Sequence, residues 1–281
     1  MQSGYYVATG GMVTQFNRLD VISNNLANLN TNGFKRDDVV IGDYLRLMQE
    51  HQDTLPLDNN TRASAKFINR TLNRVPIIAE EYTDQQVGTV QQTSNPLDFA
   101  LSKPNTFFAI QTPNGIAYTR DGSFSVDNQG FLVTKQGYKV LSSAGYNNGG
   151  GILLPPSMQV TADKNGELSF KDITNAGLNE QIGGGNIAVV TFDNTKFLKK
   201  QGENLWREDV TKEGIGEAKP TLLTNSGAVE QGFLEKSNVN AVIEMTNMIE
   251  TNRLVDMYSK VMKTQMDDLN GDAINKLAVR A

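Results

Sequence analysis

Residues 12–29 read MVTQFNRLDVISNNLANL, and their spacing decides how the chain is built. Apolar residues fall at Met12, Phe16, Leu19, Ile22, Leu26 and Leu29. Steps of three and four place them on one stripe of a helix about 30 Å long, close to a heptad seam. The far end repeats the design with Val242, Met245, Ile249, Val255, Tyr258, Met262, Met266 and Leu269. Asn252 interrupts that second stripe, as a register-setting polar residue would. Neither helix can bury its stripe alone, so each requires a partner. Pairing with each other inside one chain is the simpler reading; pairing with neighbouring subunits is the other.

Asparagine crowds the end of the first stripe: Asn24, Asn25, Asn28, Asn30 and Asn32 lie within nine residues. An amide both donates and accepts, so Asn24, Asn25 and Asn28 are candidates for fixing register against another helix. Thr31-Asn32-Gly33 reads as the helix stop. Before the last helix stands Leu234-Glu235-Lys236-Ser237-Asn238-Val239-Asn240, where Ser237 or Asn238 is the expected cap.

Between the ends the texture is strand and turn. Phe107–Ile110, Ala117–Thr119, Phe124–Val126, Phe131–Thr134 and Tyr138–Leu141 follow one another at strand length. Asp127–Gly130 and Asp163–Gly166 are D-x-x-G turns, with glycine where the chain turns left-handed. Ile187–Phe192 reads as a central strand, and Trp206, the only tryptophan, as a core anchor. Gly149–Gly151 and Gly183–Gly185 read as flexible connectors. The stretch 36–92 reads as an irregular excursion. In it Ile41, Tyr44, Leu45 and Met48 would extend the first helix, and Val75–Ile78 would form a strand.

These motifs, in this order, resemble the bacterial flagellar rod and hook family. The resemblance runs from the asparagine-rich segment through Asn95–Ala100, Phe107–Gln111, Ala117–Phe124 and Gly130–Thr134 to the Leu234–Asn240 segment. It departs at Lys103-Pro104-Asn105-Thr106, where the family has a glycine-rich turn. The resemblance implies an α+β chain. Its long N- and C-terminal helices form a coiled-coil-like inner domain, and a mostly antiparallel β-rich middle domain forms an outer layer. The expected divisions are 1–35, 36–92, 93–227 and 228–281. It further implies a hollow helical tube built of this chain, or near-homologous copies, together with other rod and hook subunits. Passage through the flagellar export apparatus without a cleaved signal is implied too, giving a basal-body rod location across the periplasm. The segments 93–99 and 147–156 lean toward a proximal rest in the rod, with a distal position as the alternative.

Composition excludes several other classes. Net charge is −5, and no basic stripe interleaved with aromatics exists for nucleic acid. No cysteine means no disulfide framework. No apolar run is long enough for a membrane span, and Met1–Tyr6 lacks the basic-then-apolar start of a secretory signal. A wall-cutting hydrolase would need a catalytic pair. His51 is the only histidine, and Glu80-Glu81 are neighbours on an extended stretch, pointing to opposite faces. Asp163, Asn165 and Glu167 lack the remaining ligands of a calcium loop, and the glycine triplets lack the lysine of a phosphate loop. No cofactor is expected. The candidate site is therefore an assembly interface: Met12, Phe16, Leu19, Ile22, Leu26, Leu29, Asn24, Asn25, Asn28, Val242, Met245, Ile249, Val255, Met262 and Met266.

Overall fold

The structure, a computed structural model, describes residues 2–43, 76–155, 158–172, 182–208 and 219–278. It is α+β, with a helix at each end and mostly antiparallel sheets between. Two compact units divide the chain. Unit 1 holds residues 1–27, 37–83 and 240–281; unit 2 holds 28–36 and 84–239.

In unit 1, helix α1 (Gln2–Ala27) packs antiparallel to helix α2 (Ala241–Ala278). Gly4 faces Gln265, the Thr9 hydroxyl lies 3.4 Å from Met262 Sδ, and Gly11 sits under the Tyr258 ring. A Cβ at Gly11 would come within 2.6 Å of that ring, so only glycine admits this approach. Strands β1 (Asp37–Asp43) and β2 (Pro76–Thr83) form an antiparallel pair, with a register shift at Val40/Ile41. Thr14 Oγ1 donates to Pro76 O at 2.8 Å, tying α1 to this pair.

Several expectations change here. The first helix stops at Ala27, short of the Thr31-Asn32-Gly33 stop. Asparagine side chains compete with helical backbone bonds, and Asn28 begins a turn that accepts from both Thr31 N and Thr31 Oγ1. Ile41 lies in β1, not in a helical extension. Val40 and Ile41 are β-branched, and β2 supplies the ladder. Tyr44, Leu45, Met48 and His51 lie outside the described residues. The second helix begins only at Ala241, and its cap is Asn240, not Ser237 or Asn238. Asn240 Oδ1 accepts from Val242 N (3.0 Å) and Ile243 N (3.3 Å), whereas Ser237 Oγ accepts from Val239 N, ahead of the helix.

Unit 2 is the β body. Its largest sheet runs in the order β14-β15-β6-β5-β9-β8-β7, with β13 pairing both β5 and β16. The central strands are β5 (Thr106–Thr112), β6 (Gly115–Thr119), β7 (Ser125–Val126), β8 (Leu132–Val133) and β9 (Lys139–Val140). Completing the sheet are β13 (Val189–Phe192), β14 (Leu198–Lys200), β15 (Leu205–Glu208) and β16 (Pro220–Leu222). Strand alternation sends Phe108 and Ile110 into one apolar cluster, and Phe107 and Ala109 into another with Phe192 and Trp206. Burial on both faces is why β5 reads as a continuous apolar run rather than an alternating one.

The two D-x-x-G turns form as expected, with φ of +85° at Gly130 and +84° at Gly166. Asn105 stands at φ +57° in the turn where glycine was expected; asparagine tolerates that region better than most residues. Gly183–Gly185 are not a connector. They lie in β12 (Ile182–Asn186), which pairs with β11 (Glu167–Asp172), itself paired with β10 (Met158–Ala162). Nor does the strand region close near 227. Strands β17 (Val229–Gln231) and β18 (Phe233–Glu235) follow, pairing with β4 (Phe99–Leu101) and β3 (Val90–Gln92).

Candidate assembly surfaces

Helix geometry divides the apolar residues of α2 between two faces. Six residues separate Ile249 from Val255, about 240° beyond a whole turn at 100° per residue. Val255, Tyr258 and Met262 are half-buried on the side toward α1. Val242, Met245 and Ile249 face the other way, with Val242 74 % exposed and Ile249 55 %. Ile243, Met257 and Val261 are also exposed, as is Met266 further along. The stripe read from sequence is therefore two faces, and Asn252 marks the place where one gives way to the other.

On α1 the buried side is Ala8, Gly11, Thr14, Gln15, Ile22 and Asn25. Met12, Leu19 and Leu26 lie at its margin, half-buried, and Phe16 is exposed together with Tyr6 and Val13. Apart from Ile22, small and polar residues thus fill the inward face, while Tyr6, Val13 and Phe16 look outward. Leu29 lies past the helix, half-buried, in unit 2.

The three candidate asparagines separate. Asn25 has no exposed surface. Its Nδ2 donates to Asp37 O at 2.7 Å, and its Oδ1 accepts from Asp37 N at 3.0 Å. That two-point clamp fixes the start of β1 within the same chain rather than reaching another helix. Asn28 Oδ1 accepts from Thr31 Oγ1, and Asn24 is exposed on α1.

Sequence reasoning missed the strongest electrostatic feature of unit 2. Lys35, Arg120 and Glu235 bury their charged ends completely. Lys35 Nζ donates to Glu235 Oε1 and to Gln86 O, each at 2.6 Å. Arg120 Nε donates to Glu235 Oε2 at 2.7 Å, and its remaining N–H groups reach Leu101 O, Lys103 O and Thr106 O. Gly88 N donates to Glu235 Oε1 at 2.9 Å. A Cβ at Gly88 would sit 1.9 Å from Lys236 O, so the backbone closes around the carboxylate. Burial, reinforced by Arg120, pushes the Lys35 ammonium down to about 8 against the pull of Glu235. The signal available in the sequence was a charge embedded among apolar strand residues, as in Tyr118-Thr119-Arg120 and Phe233-Leu234-Glu235.

Elsewhere in unit 2, Tyr118 and Tyr146 hydroxyls lie 2.8 Å apart, and burial pushes the pKa of both above the usual tyrosine value, so both stay protonated more firmly than a free tyrosine. Asp163 Oδ1 accepts from Asn165 N and Glu167 N, which makes its segment the hairpin turn expected of it. Glu80 and Glu81 stand side by side in β2, opposite Val40 and Val39.

Three family patterns match the chain. Residues 6–35 match "Flagella basal body rod protein", 103–170 match "Flagellar hook protein FlgE/F/G D1 domain", and 230–275 match "Flagellar basal body rod FlgEFG protein C-terminal". The chain is 33 % identical to the flagellar basal-body rod protein FlgG of Buchnera aphidicola subsp. Schizaphis graminum, over 92 % of this chain and 94 % of that protein. With FlgG of Bacillus subtilis it shares 32 % identity over 98 % and 99 % of the two lengths. With the basal-body rod protein FlgF of Caulobacter vibrioides it shares 30 % over 99 % and 98 %.

Proposed function

The chain belongs to the flagellar basal-body rod protein family, and on that premise we propose how it serves as a structural subunit of the rod. The outward faces of α1 and α2 dock against the same helices of neighbouring rod and hook subunits, in a coiled-coil-like seam repeated around a hollow tube. The β body forms the layer outside it. One observation carries this: Val242, Met245 and Ile249 stay exposed on α2 even though α1 already covers its opposite face. A contiguous exposed apolar face of this kind marks a surface built for a partner. The role is mechanical, not catalytic, and the buried polar groups of unit 2 are spent on holding chain segments together.

Relatives named for both rod proteins match at nearly equal identity, and the reading is that of a rod subunit. A proximal position is supported by the segments 93–99 and 147–156 alone. Delivery through the flagellar export apparatus, without a cleaved signal, completes the proposal.

Ile249→Asp tests it. Burying an unpaired carboxylate in the seam costs several kcal/mol per subunit, so the variant should be absent from purified basal bodies and leave cells non-motile. Trp206 fluorescence of the purified variant should match the parent chain, because Ile249 lies in unit 1 and Trp206 in unit 2. Normal incorporation of Ile249→Asp would overturn the docking face.

A further inference from the structure

The cluster around Glu235 holds one charge more than it needs. Two cations and one carboxylate are buried together. Arg120 and Glu235 close as a neutral pair by themselves, with Nε and Nη2 each 2.7 Å from Oε2. Arg120 directly follows β6, and Glu235 ends β18, laddered to β3. Lys35 comes from elsewhere: residues 28–36 belong to unit 2, while the chain on both sides of them, 1–27 and 37–83, belongs to unit 1. This stretch lies in no sheet. Its backbone is held by Gly33 N to Glu235 O (2.8 Å), Asp84 N to Arg36 O (2.9 Å) and Arg36 N to Asn238 Oδ1 (2.7 Å). Lifting it breaks no strand ladder and leaves the Arg120–Glu235 pair intact.

We propose that residues 28–36 are a latch that opens from the β body as one piece while Arg120 and Glu235 stay paired, and that the charge on Lys35 sets how often it opens. Closing the latch carries a third charge into a site where the first two already balance. Desolvation is the largest penalty and repulsion from Arg120 the next; attraction to Glu235 and Asp84 offsets part of it. The other charges at the latch are Arg36, Lys200 and Lys236. Lys200 Nζ donates to Lys35 O (2.6 Å) and stands over the Phe34 ring, and Lys236 Nζ donates to Asn32 Oδ1. The pH dependence has a definite sign. The closed latch gives up the Lys35 proton near pH 8 and the open latch near 10.5. Opening therefore takes up a proton between those values and becomes rarer as pH rises through them.

Native-state hydrogen exchange on the full chain reads this directly. After correction for intrinsic rates, the Gly33 and Arg36 amides should exchange at least about tenfold faster than Thr93 N, bonded to Gly232 O, and Lys236 N, bonded to Thr89 O. Their opening should fall about tenfold between pH 8 and 9.5. Lys35→Met should slow their exchange by a similar factor and abolish that dependence, whereas Lys35→Arg, which keeps the charge, should not slow it. Exchange of Gly33 and Arg36 in step with Thr93 and Lys236 would overturn the latch. So would faster exchange in Lys35→Met, or a Lys35→Met chain that fails to fold.

Discussion

Replacing Glu235 by glutamine removes one charge and almost no volume, and it should be among the most damaging single changes in the β body. Glu235 Oε1 accepts from Lys35 Nζ at 2.6 Å and Gly88 N at 2.9 Å, and Oε2 accepts from Arg120 Nε at 2.7 Å. Glutamine offers one acceptor oxygen in place of two, and its amide donates toward either a cation or the Gly88 N–H. Both cations then lie buried without an anion. Breaking a buried pair this way costs about 3–5 kcal/mol. With a urea slope of about 2 kcal/mol per molar, the midpoint should drop by roughly 2 M. Lys35→Met instead removes the surplus cation and leaves a neutral pair, so its midpoint should move by less than about 0.5 M on the same slope. Trp206, the only tryptophan and 2 % exposed, reports unit 2 alone. Equilibrium urea unfolding followed by its fluorescence makes the comparison. Equal shifts for the two variants, or a larger one for Lys35→Met, would refute the reasoning from surplus charge.

Two further outcomes follow from the geometry. Gly88→Ala forces a Cβ to within 1.9 Å of a backbone carbonyl and should lower the Trp206 unfolding midpoint by about 0.5–1.5 M, given an overpacking cost of about 1–3 kcal/mol on the same slope; an unchanged midpoint would mean that this closure is looser than described. Asn25→Leu keeps bulk but removes both bonds to Asp37, and should destabilise unit 1 by about 1–3 kcal/mol. Helix loss on heating, followed by circular dichroism, should then begin at lower temperature while the Trp206 transition stays in place; a shift of both together would contradict the placement of Asn25.

The β body was largely legible in the sequence because its signals are local. Strand-length apolar runs, D-x-x-G turns and a lone tryptophan depend on neighbours a few residues away, and they fell where expected. The helix ends were harder. Asn28–Asn32 keep the apolar spacing of a helix, but their side chains favour turns, and the turn wins after Ala27. On α2 the gap from Ile249 to Val255 was visible, yet only a partner on one side reveals that it rotates the apolar face outward. Arg120 and Glu235 each stand inside a recognised motif, and Lys35 lies two residues past the helix stop. Nothing in one sequence brings together charges separated by 85 and 115 residues of chain. Gly183–Gly185 misled for the opposite reason: glycine's local freedom pointed to a connector, and pairing with β11 overrode it.

The bond from Asp84 N to Arg36 O at 2.9 Å has an evolutionary consequence. The chain departs from the β body at Arg36 and rejoins it at Asp84, with the two ends stapled together. To that body, everything from 37 to 83 is an insertion whose length hardly matters. Doubling the length of a closed loop adds only about 0.6 kcal/mol of closure entropy. Insertions and deletions between β1 and β2 can therefore accumulate while the staple, and the fold on its far side, is inherited unchanged. Breakpoints in gene sequences of relatives should cluster inside that interval, and grafted peptides should be tolerated there more readily than in any turn of the large sheet.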